Sequence, residues 1–146
     1  MSESKIKFKI VTSEKTVYED EVDQATFETT DGQITILPNH RSYITSLKSG
    51  EAMVKKKDEE TYLSISGGFI EFHDNTLIVL ADTAERAEEI DLKRAEEARV
   101  RAEELKNQAI SKDDEEYARV AAAIQKESAR IRVARKHRTK RGILGE

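Results

Sequence analysis

The sequence predicts an α+β protein: an N-terminal antiparallel β-sandwich, residues 1–84, followed by a C-terminal antiparallel two-helix hairpin, residues 85–146. The only proline, all four phenylalanines and four of the six glycines lie before residue 85. From Glu85 to Arg141 there is neither Gly nor Pro, and Ala, Glu, Lys and Arg dominate. The first part has the composition of turn-rich β structure and the second that of long exposed helices.

Alternating apolar and polar residues predict the strands. In Lys5–Ile10 the three apolar residues fall on one side and the three lysines on the other, as in a half-buried strand. Further strands are predicted at 24–29, 33–37, 42–47, 51–56, 61–66, 68–72 and 76–81, with turn signals at Asp31-Gly32, Ser49-Gly50, Lys57-Asp58 and Asp74-Asn75. Because the gaps leave no room for crossover helices, a parallel α/β fold is disfavoured.

Apolar residues spaced three and four apart predict two helices after this β part. Asp91 is a predicted N-cap, with Ile90 and Ala95 at the two positions of a hydrophobic staple, and Ser111 with Asp114 resembles a capping box for the second helix. The predicted inner faces are Leu92, Ala95, Ala98, Ala102, Leu105 and Ala109 on the first helix and Tyr117, Val120, Ala121, Ile124, Ser128 and Ile131 on the second.

The predicted contact between the helices is rich in alanine. Burial contributes about 25 cal/mol per Å² of apolar area, and alanine has little area, so the two helices should hold each other weakly. High helix propensity would let each helix persist without the other. The hairpin is therefore expected to open as a two-state element, although an inert helical spacer explains the same composition.

Several site classes find no support in the sequence. There is no cysteine, the three histidines are far apart, and no stretch approaches the roughly 20 apolar residues that span a bilayer. There is no phosphate-binding Gly-rich loop followed by Lys-Ser or Lys-Thr, and the paired glutamates of the first helix are spaced like a solvated face. We expect a soluble, non-catalytic chain without a metal site that reaches a membrane only through a partner.

Charge is unevenly distributed along the chain. Residues 1–84 carry 9 Lys and Arg against 15 Asp and Glu, whereas the segment from Lys126 onward is a cation-rich strip in which Glu127 and Glu146 are the only acidic residues. An anionic partner is the expectation for this strip. Nucleic acid is a competing candidate, but the acidic first part and the lack of a Gly-aromatic RNA-binding signature argue against it.

Three motifs in this order give the chain a family resemblance. They are Asp31–His40, the Gly-Gly-Phe strand Ser66–Phe72 and the junction Ala84–Ala95, which contains Ile-Asp-x-x-Arg-Ala; Leu80-Ala81-Asp82 lies between the last two. Together they make the chain, from about Ile6 to Arg135, resemble the epsilon subunit of F-type ATP synthase, the counterpart of the mitochondrial delta subunit.

The resemblance implies a coupling subunit without an active site. It would bind the gamma subunit, rest on the ring of membrane c subunits and rotate with the central stalk, peripheral to the cytoplasmic side of the cell inner membrane. The loop matching Asp31–Tyr43 would face the c-ring, with Gln33 and His40 at family contact positions. Here Thr35, Asn39 and Arg41 replace the usual Gly, Gly and Ala, and Arg41 adds a charge for carboxylates of the ring. A solvent-exposed turn residue without a task remains the alternative for His40.

The resemblance also implies a brake and a regulatory nucleotide. In bacterial members the hairpin extended along gamma toward the alpha/beta catalytic hexamer opposes ATP hydrolysis, and some members bind ATP in the folded hairpin. The matching positions here are Glu85, Ile90, Asp91, Arg94, Ala95, Arg101, Lys126 and Arg130. Lys126 stands where an arginine is usual, and lysine lacks the bidentate fork of arginine. Asp91 as a helix cap and Arg94 as a solvated charge explain two of these residues without ATP, and a free-standing nucleotide sensor is a further alternative.

Overall fold

The computed structural model describes residues 4–109 and 114–143 and contains a β-sandwich followed by two packed helices, which confirms the predicted fold class. The strands are β1 Ile6–Val11, β2 Thr16–Val22, β3 Gln24–Thr29, β4 Gly32–Ile36, β5 Tyr43–Lys56, β6 Glu59–Ser66, β7 Phe69–His73, β8 Thr76–Leu80 and β9 Thr83–Arg86. A 3-10 turn, Ala87–Glu89, leads into helix α1, Leu92–Ala109, and helix α2 spans Asp114–Ile143.

Two sheets share one long strand. The first sheet has the order β2-β1-β8-β7-β5 and the second β4-β3-β5-β6-β9. Residues 43–46 of β5 pair with β7, and residues 50–56 pair with β6, so β5 crosses from one sheet to the other. The predicted turn at Ser49-Gly50 is therefore wrong. A Cβ on Gly50 would lie 1.7 Å from Glu28 Oε2, so glycine lets the strand continue where that side chain approaches it.

The sandwich differs from the expected antiparallel arrangement in one pair, because β1 and β8 run parallel. Two strands were also missed. β2 contains three consecutive acidic residues, Glu19–Glu21, which interrupt the alternation that identifies a strand. β9 pairs with β6 in the segment where the sequence indicated a change from strands to helices.

Large apolar side chains fill the space between the sheets. The predicted inward residues of β1, Ile6, Phe8 and Ile10, are almost wholly buried, as are Phe27 and Phe72. Burying a side chain of this size contributes roughly 1.5–3 kcal/mol. This core holds most of the buried apolar side chains of the described residues.

The helices form the predicted antiparallel hairpin. Arg135 near the end of α2 pairs with Glu96 at the start of α1 at 2.9 Å, and Lys106 at the end of α1 lies 5.6 Å above the ring of Tyr117 at the start of α2. The Asp91 carboxylate accepts a hydrogen bond from the Arg94 amide at 3.1 Å, which confirms the N-cap. Ser111 lies outside the described residues, so the second capping box stays a prediction.

The buried faces of the helices agree with the sequence only in part. Ala95 and Ala102 are buried as predicted, but Leu105 is 53% exposed and does not belong to the contact. On α2 the most buried residues are Ala129, Ile131, Val133 and Ala134, of which only Ile131 was predicted. The reason is that α2 contacts β5, β6 and the 3-10 turn as well as α1, so it buries more than one stripe.

Candidate functional site: the outer faces of the two sheets

The outer face of the second sheet is held to α2 by a half-buried arginine. Arg130, whose side chain is 17% exposed, donates from Nε to Glu85 Oε2 at 2.6 Å and from Nη1 to Glu127 Oε2 at 2.7 Å. A longer bond, 3.3 Å, joins Nη2 to Glu85 Oε1 and completes a bidentate fork. Burial alone lowers the pKa of Arg130, but the two carboxylates outweigh it and hold the pKa above its usual value.

A second contact between α2 and the sandwich is centred on Lys136. Its ammonium donates to both carboxylate oxygens of Glu51, at 2.7 and 2.9 Å, and lies 5.6 Å from the ring centre of Tyr62. The Tyr62 hydroxyl donates to Glu60 at 2.6 Å, and this bond, with burial second, raises the pKa of Tyr62 to about 12. Arg132 lies 3.7 Å from Glu28 of β3.

These contacts account for much of the basic strip. The sequence predicted an external anionic partner for the segment from Lys126 onward, yet Arg130, Arg132, Arg135 and Lys136 all pair with carboxylates of the same chain. Three of them reach β3, β5 or β9 of the acidic sandwich. The opposite charge balance of the two parts, 9 cations against 15 anions in residues 1–84, was the signal that could have predicted this pairing.

The predicted nucleotide residues are only partly brought together. Glu85 and Arg130 are bonded, Ile90 and Ala95 are buried, and the exposed Arg94 guanidinium lies 3.7 Å from its own helix cap, Asp91. Within residues 4–109 and 114–143, neither Arg101 nor Lys126 has a hydrogen bond or ion pair with the other six. Two carboxylates occupy Arg130, so the docked hairpin does not offer this guanidinium to a phosphate unless one of them leaves.

The loop after β4 is tied by hydrogen bonds at Asn39. This residue has φ of 68°, the left-handed conformation that glycine adopts most easily and asparagine tolerates best among the others. Its amide donates to Asn75 Oδ1 at 2.6 Å, and Asn75 Nδ2 donates back to Asn39 Oδ1 at 3.0 Å. Asparagine therefore adopts here a backbone conformation that also suits glycine, the residue that the resemblance places at this position.

The three residues predicted to contact the c-ring, Gln33, His40 and Arg41, lie in two separate places. His40 is half-buried, with its ring edge-on to Phe72 at 5.8 Å and its Nδ1 2.7 Å from the Arg41 carbonyl oxygen, whereas Arg41 itself is exposed. Gln33 lies at the other end of β4 and lines a cavity of about 500 Å³ with Gln125 and Ser128 of α2. His40 thus has a packing role that an idle turn residue would lack.

The outer face of the first sheet carries an apolar patch that the sequence did not predict. Ile44, Phe69, Ile78 and Leu80 are exposed there, Ile44 by 66%. We call these four residues the apolar patch. They lie on β5, β7 and β8, with Phe69 opposite Leu80, and both Ile44 and Ile78 opposite Glu71.

The described part of the chain contains no metal-binding group of three or more His, Asp or Glu residues, and neither helix there could cross a membrane.

Comparison with known proteins agrees with this architecture. The family model for the ATP synthase delta/epsilon chain β-sandwich domain matches residues 5–87, and that for the long α-helix domain matches residues 88–135. The ATP synthase epsilon chain of Chloroflexus aggregans is 43% identical over 93% of this chain and 96% of its own length. That of Geobacter sulfurreducens is 39% identical over 90% and 95%.

Solved structures of mitochondrial assemblies share the fold. A chain of the Euglena gracilis ATP synthase OSCP/F1/c-ring structure gives a TM-score of 0.74 at 20% identity, covering 87% of this chain and 79% of that one. A chain of the Tetrahymena thermophila central stalk/c-ring structure gives 0.55 at 16% identity, covering 94% and 98%. On the matches of both domains and the identity over nearly the whole length, the chain belongs to the delta/epsilon family of ATP synthase chains, a family of non-catalytic subunits.

Proposed function

We propose that this chain is a rotor subunit of the central stalk, which couples ion flow through the c-ring to ATP synthesis and attaches to the membrane only through the assembled complex. The observation that carries the proposal is the contrast between the two outer faces of the sandwich. The second sheet is covered by α2, whereas the first exposes the apolar patch, and exposed apolar patches mark protein interaction sites. We assign the gamma subunit to this patch.

Capture of purified gamma subunit by the immobilised chain tests the assignment. Ile44→Asp combined with Leu80→Asp places two charges in the patch and should lower the affinity at least 100-fold, because each would be buried without a partner. Thr30→Asp adds a charge in the exposed turn between β3 and β4 and serves as the control. Equal capture by the double variant and the control would contradict the assignment.

We propose that the loop around Asn39 contacts the c-ring through His40 and Arg41, with Gln33 contributing from the start of β4. Support comes from the hydrogen-bonded loop backbone and the exposed Arg41 charge. In assembled complexes, Arg41→Glu should reduce ATP-driven ion pumping while ATP hydrolysis continues, because a reversed charge would repel ring carboxylates. Lys15→Glu, in the turn between β1 and β2, is the matched control, and full pumping by Arg41→Glu would oppose the contact.

We also propose that the hairpin brakes ATP hydrolysis when it leaves the second sheet and extends toward the alpha/beta hexamer. The small alanine contact and the reliance on ion pairs support a helix pair that can exchange neighbours. Truncation after Leu105 removes α2 and should raise hydrolysis by the assembled complex. Unchanged hydrolysis would count against a braking role.

ATP is proposed as a regulatory ligand of the hairpin, with Arg94, Arg101, Lys126 and Arg130 as the cations for its phosphates. Glu85 and Glu127 would have to release Arg130 first, so binding should be weak in the docked state. Calorimetry with ATP should detect binding that Arg130→Ala abolishes, with Arg138→Ala as a control from the exposed side of α2. If titration of the wild-type chain with ATP gives no heat of binding, ATP is not a ligand of the hairpin.

A further inference from the structure

One carboxylate lies inside the apolar patch. Glu71 on β7 has Ile44 of β5 opposite it on one side and Ile78 of β8 on the other, while Phe69 lies two residues before it on the same exposed face. Among residues 4–109 and 114–143, Glu71 makes no hydrogen bond or ion pair. An acidic group therefore stands without a partner among four exposed apolar side chains.

His73 lies two residues after Glu71 on the same exposed face of β7, with its Nε2 3.2 Å from Asp74 Oδ2. The other charged residues of this face lie farther toward one edge of the sheet. Lys9 of β1 follows Ile78 in the same row, and Glu19 of β2 follows Lys9. An apolar centre with a polar rim is the usual anatomy of a protein interface, in which charge is depleted from the centre. Glu71 is the exception, because it lies where a partner would remove it from water.

A partner that covers the apolar patch would remove water from the Glu71 carboxylate. A carboxylate that is buried without a partner costs several kcal/mol, whereas one that meets a cation in good geometry recovers that cost. A partner with a purely apolar surface would fit the patch but would be penalised by Glu71. The carboxylate therefore discriminates between partners and fixes the register of the correct one.

We propose that Glu71 is the specificity determinant of the first-sheet face and that its partner presents a lysine or arginine surrounded by apolar side chains. This rests on the proposed function, in that the partner is the gamma subunit assigned to the patch. It goes further because it requires one cation of that subunit to lie between Ile44 and Ile78.

Affinity measurements with purified gamma subunit test the proposal. Glu71→Gln keeps the size of the side chain and removes its charge, and it should raise the Kd about 30-fold, as expected for loss of one member of a buried charge pair. Glu71→Lys should raise it further, because two cations would face each other. Glu19→Gln makes the same charge change at the edge of the sheet and should change the Kd less than twofold.

The outcomes separate this inference from the proposed function. If Ile44→Asp with Leu80→Asp abolishes binding while Glu71→Gln and Glu71→Lys bind like the wild type, the patch docks gamma but Glu71 does not select it. If none of these variants changes the Kd, both proposals fail. Melting temperatures equal to that of the wild type would show that the Glu71 variants are folded, as expected for an outward side chain without bonds. Self-association of the isolated chain that Glu71→Lys abolishes would assign the face to a second copy instead.

Discussion

The sandwich and the hairpin are held together by different forces. The sandwich buries phenylalanine, isoleucine and leucine between two sheets, whereas the helices bury mainly alanine. Helix α2 reaches the second sheet through ion pairs and through a small apolar cluster that joins Val133 and Ala134 to Ile90 and Tyr62. Rising ionic strength does not screen apolar burial, whereas it weakens ion pairs at a partly exposed surface. These different forces lead us to expect a sandwich that stays folded when the helices detach from it.

The largest expected change is a loss of folding stability when the core of the sandwich is disrupted. Phe27→Ala removes a ring from the centre of the sandwich, where Phe27 packs 6.0 Å from Phe8, and should reduce the free energy of unfolding by about 3–5 kcal/mol. Urea denaturation followed by circular dichroism measures it, and Thr30→Ala in an exposed turn is the control. A loss below about 1 kcal/mol would mean that the sandwich core does not dominate stability.

The next largest change is expected in the free energy that holds α2 on the second sheet. Arg130→Ala leaves Glu85 and Glu127 without their shared partner and should make undocking of the hairpin easier by about 1–3 kcal/mol, a value reduced from that of fully buried pairs because Glu85 is partly exposed. Hydrogen exchange of α2 amides reports undocking directly. Arg138→Ala is the control, and equal exchange in the two variants would contradict the role of Arg130.

A smaller effect is expected at the second contact. Lys136→Met keeps much of the side-chain stem over Tyr62 but removes the charge that Glu51 accepts, and it should ease undocking by about 0.5–1 kcal/mol because Lys136 is largely exposed. The same exchange experiment measures it at low salt. In 1 M NaCl the wild type and the variant should converge, and a difference that persists there would argue against an electrostatic contribution.

The smallest expected change is in the melting temperature of the sandwich at low pH. The hydrogen bond from Lys5, with that from the Lys57 amide, holds the pKa of Asp23 below its ordinary 3.8. A depressed pKa contributes stability above pH 3.8 that is lost as the pH falls through the folded value. The melting temperature of the wild type should therefore exceed that of Asp23→Asn at pH 7, and the two should approach each other near pH 2. Asp58→Asn, which removes a carboxylate from the exposed turn before β6, is the control.

The sequence allowed prediction of features that depend on local pattern. Alternation located most strands, and the composition change located the helices and the Asp91 cap. Features that depend on tertiary context were missed: β5 runs through Ser49-Gly50 because it serves two sheets, and Ala129, Val133 and Ala134 are buried because α2 lies between α1 and the second sheet. A periodicity argument assumes one buried face and cannot anticipate a second one.

The sequence also predicted some residues of the candidate sites and missed others. Motif positions identified Glu85 and Arg130, which the structure brings into contact, but their interaction with each other was not expected. The apolar patch could not be recognised because its members come from β5, β7 and β8 and meet only in the folded sheet. Ile78 and Leu80 belong to the continuous apolar run Leu77–Leu80, a pattern typical of a strand buried on both faces, so it gave no sign of an exposed apolar side.

The central claim is that the hairpin can leave a sandwich that stays folded. Native-state hydrogen exchange of the full chain at 50 mM and 1 M NaCl tests it most directly, by comparing amides of α2 near Ala129–Ala134 with amides of β1 and β8. We expect α2 to open with a free energy several kcal/mol below that of the strands, and the gap to widen in 1 M NaCl. Equal opening free energies for α2 and the strands at both salt concentrations would show one cooperative unit and contradict the account.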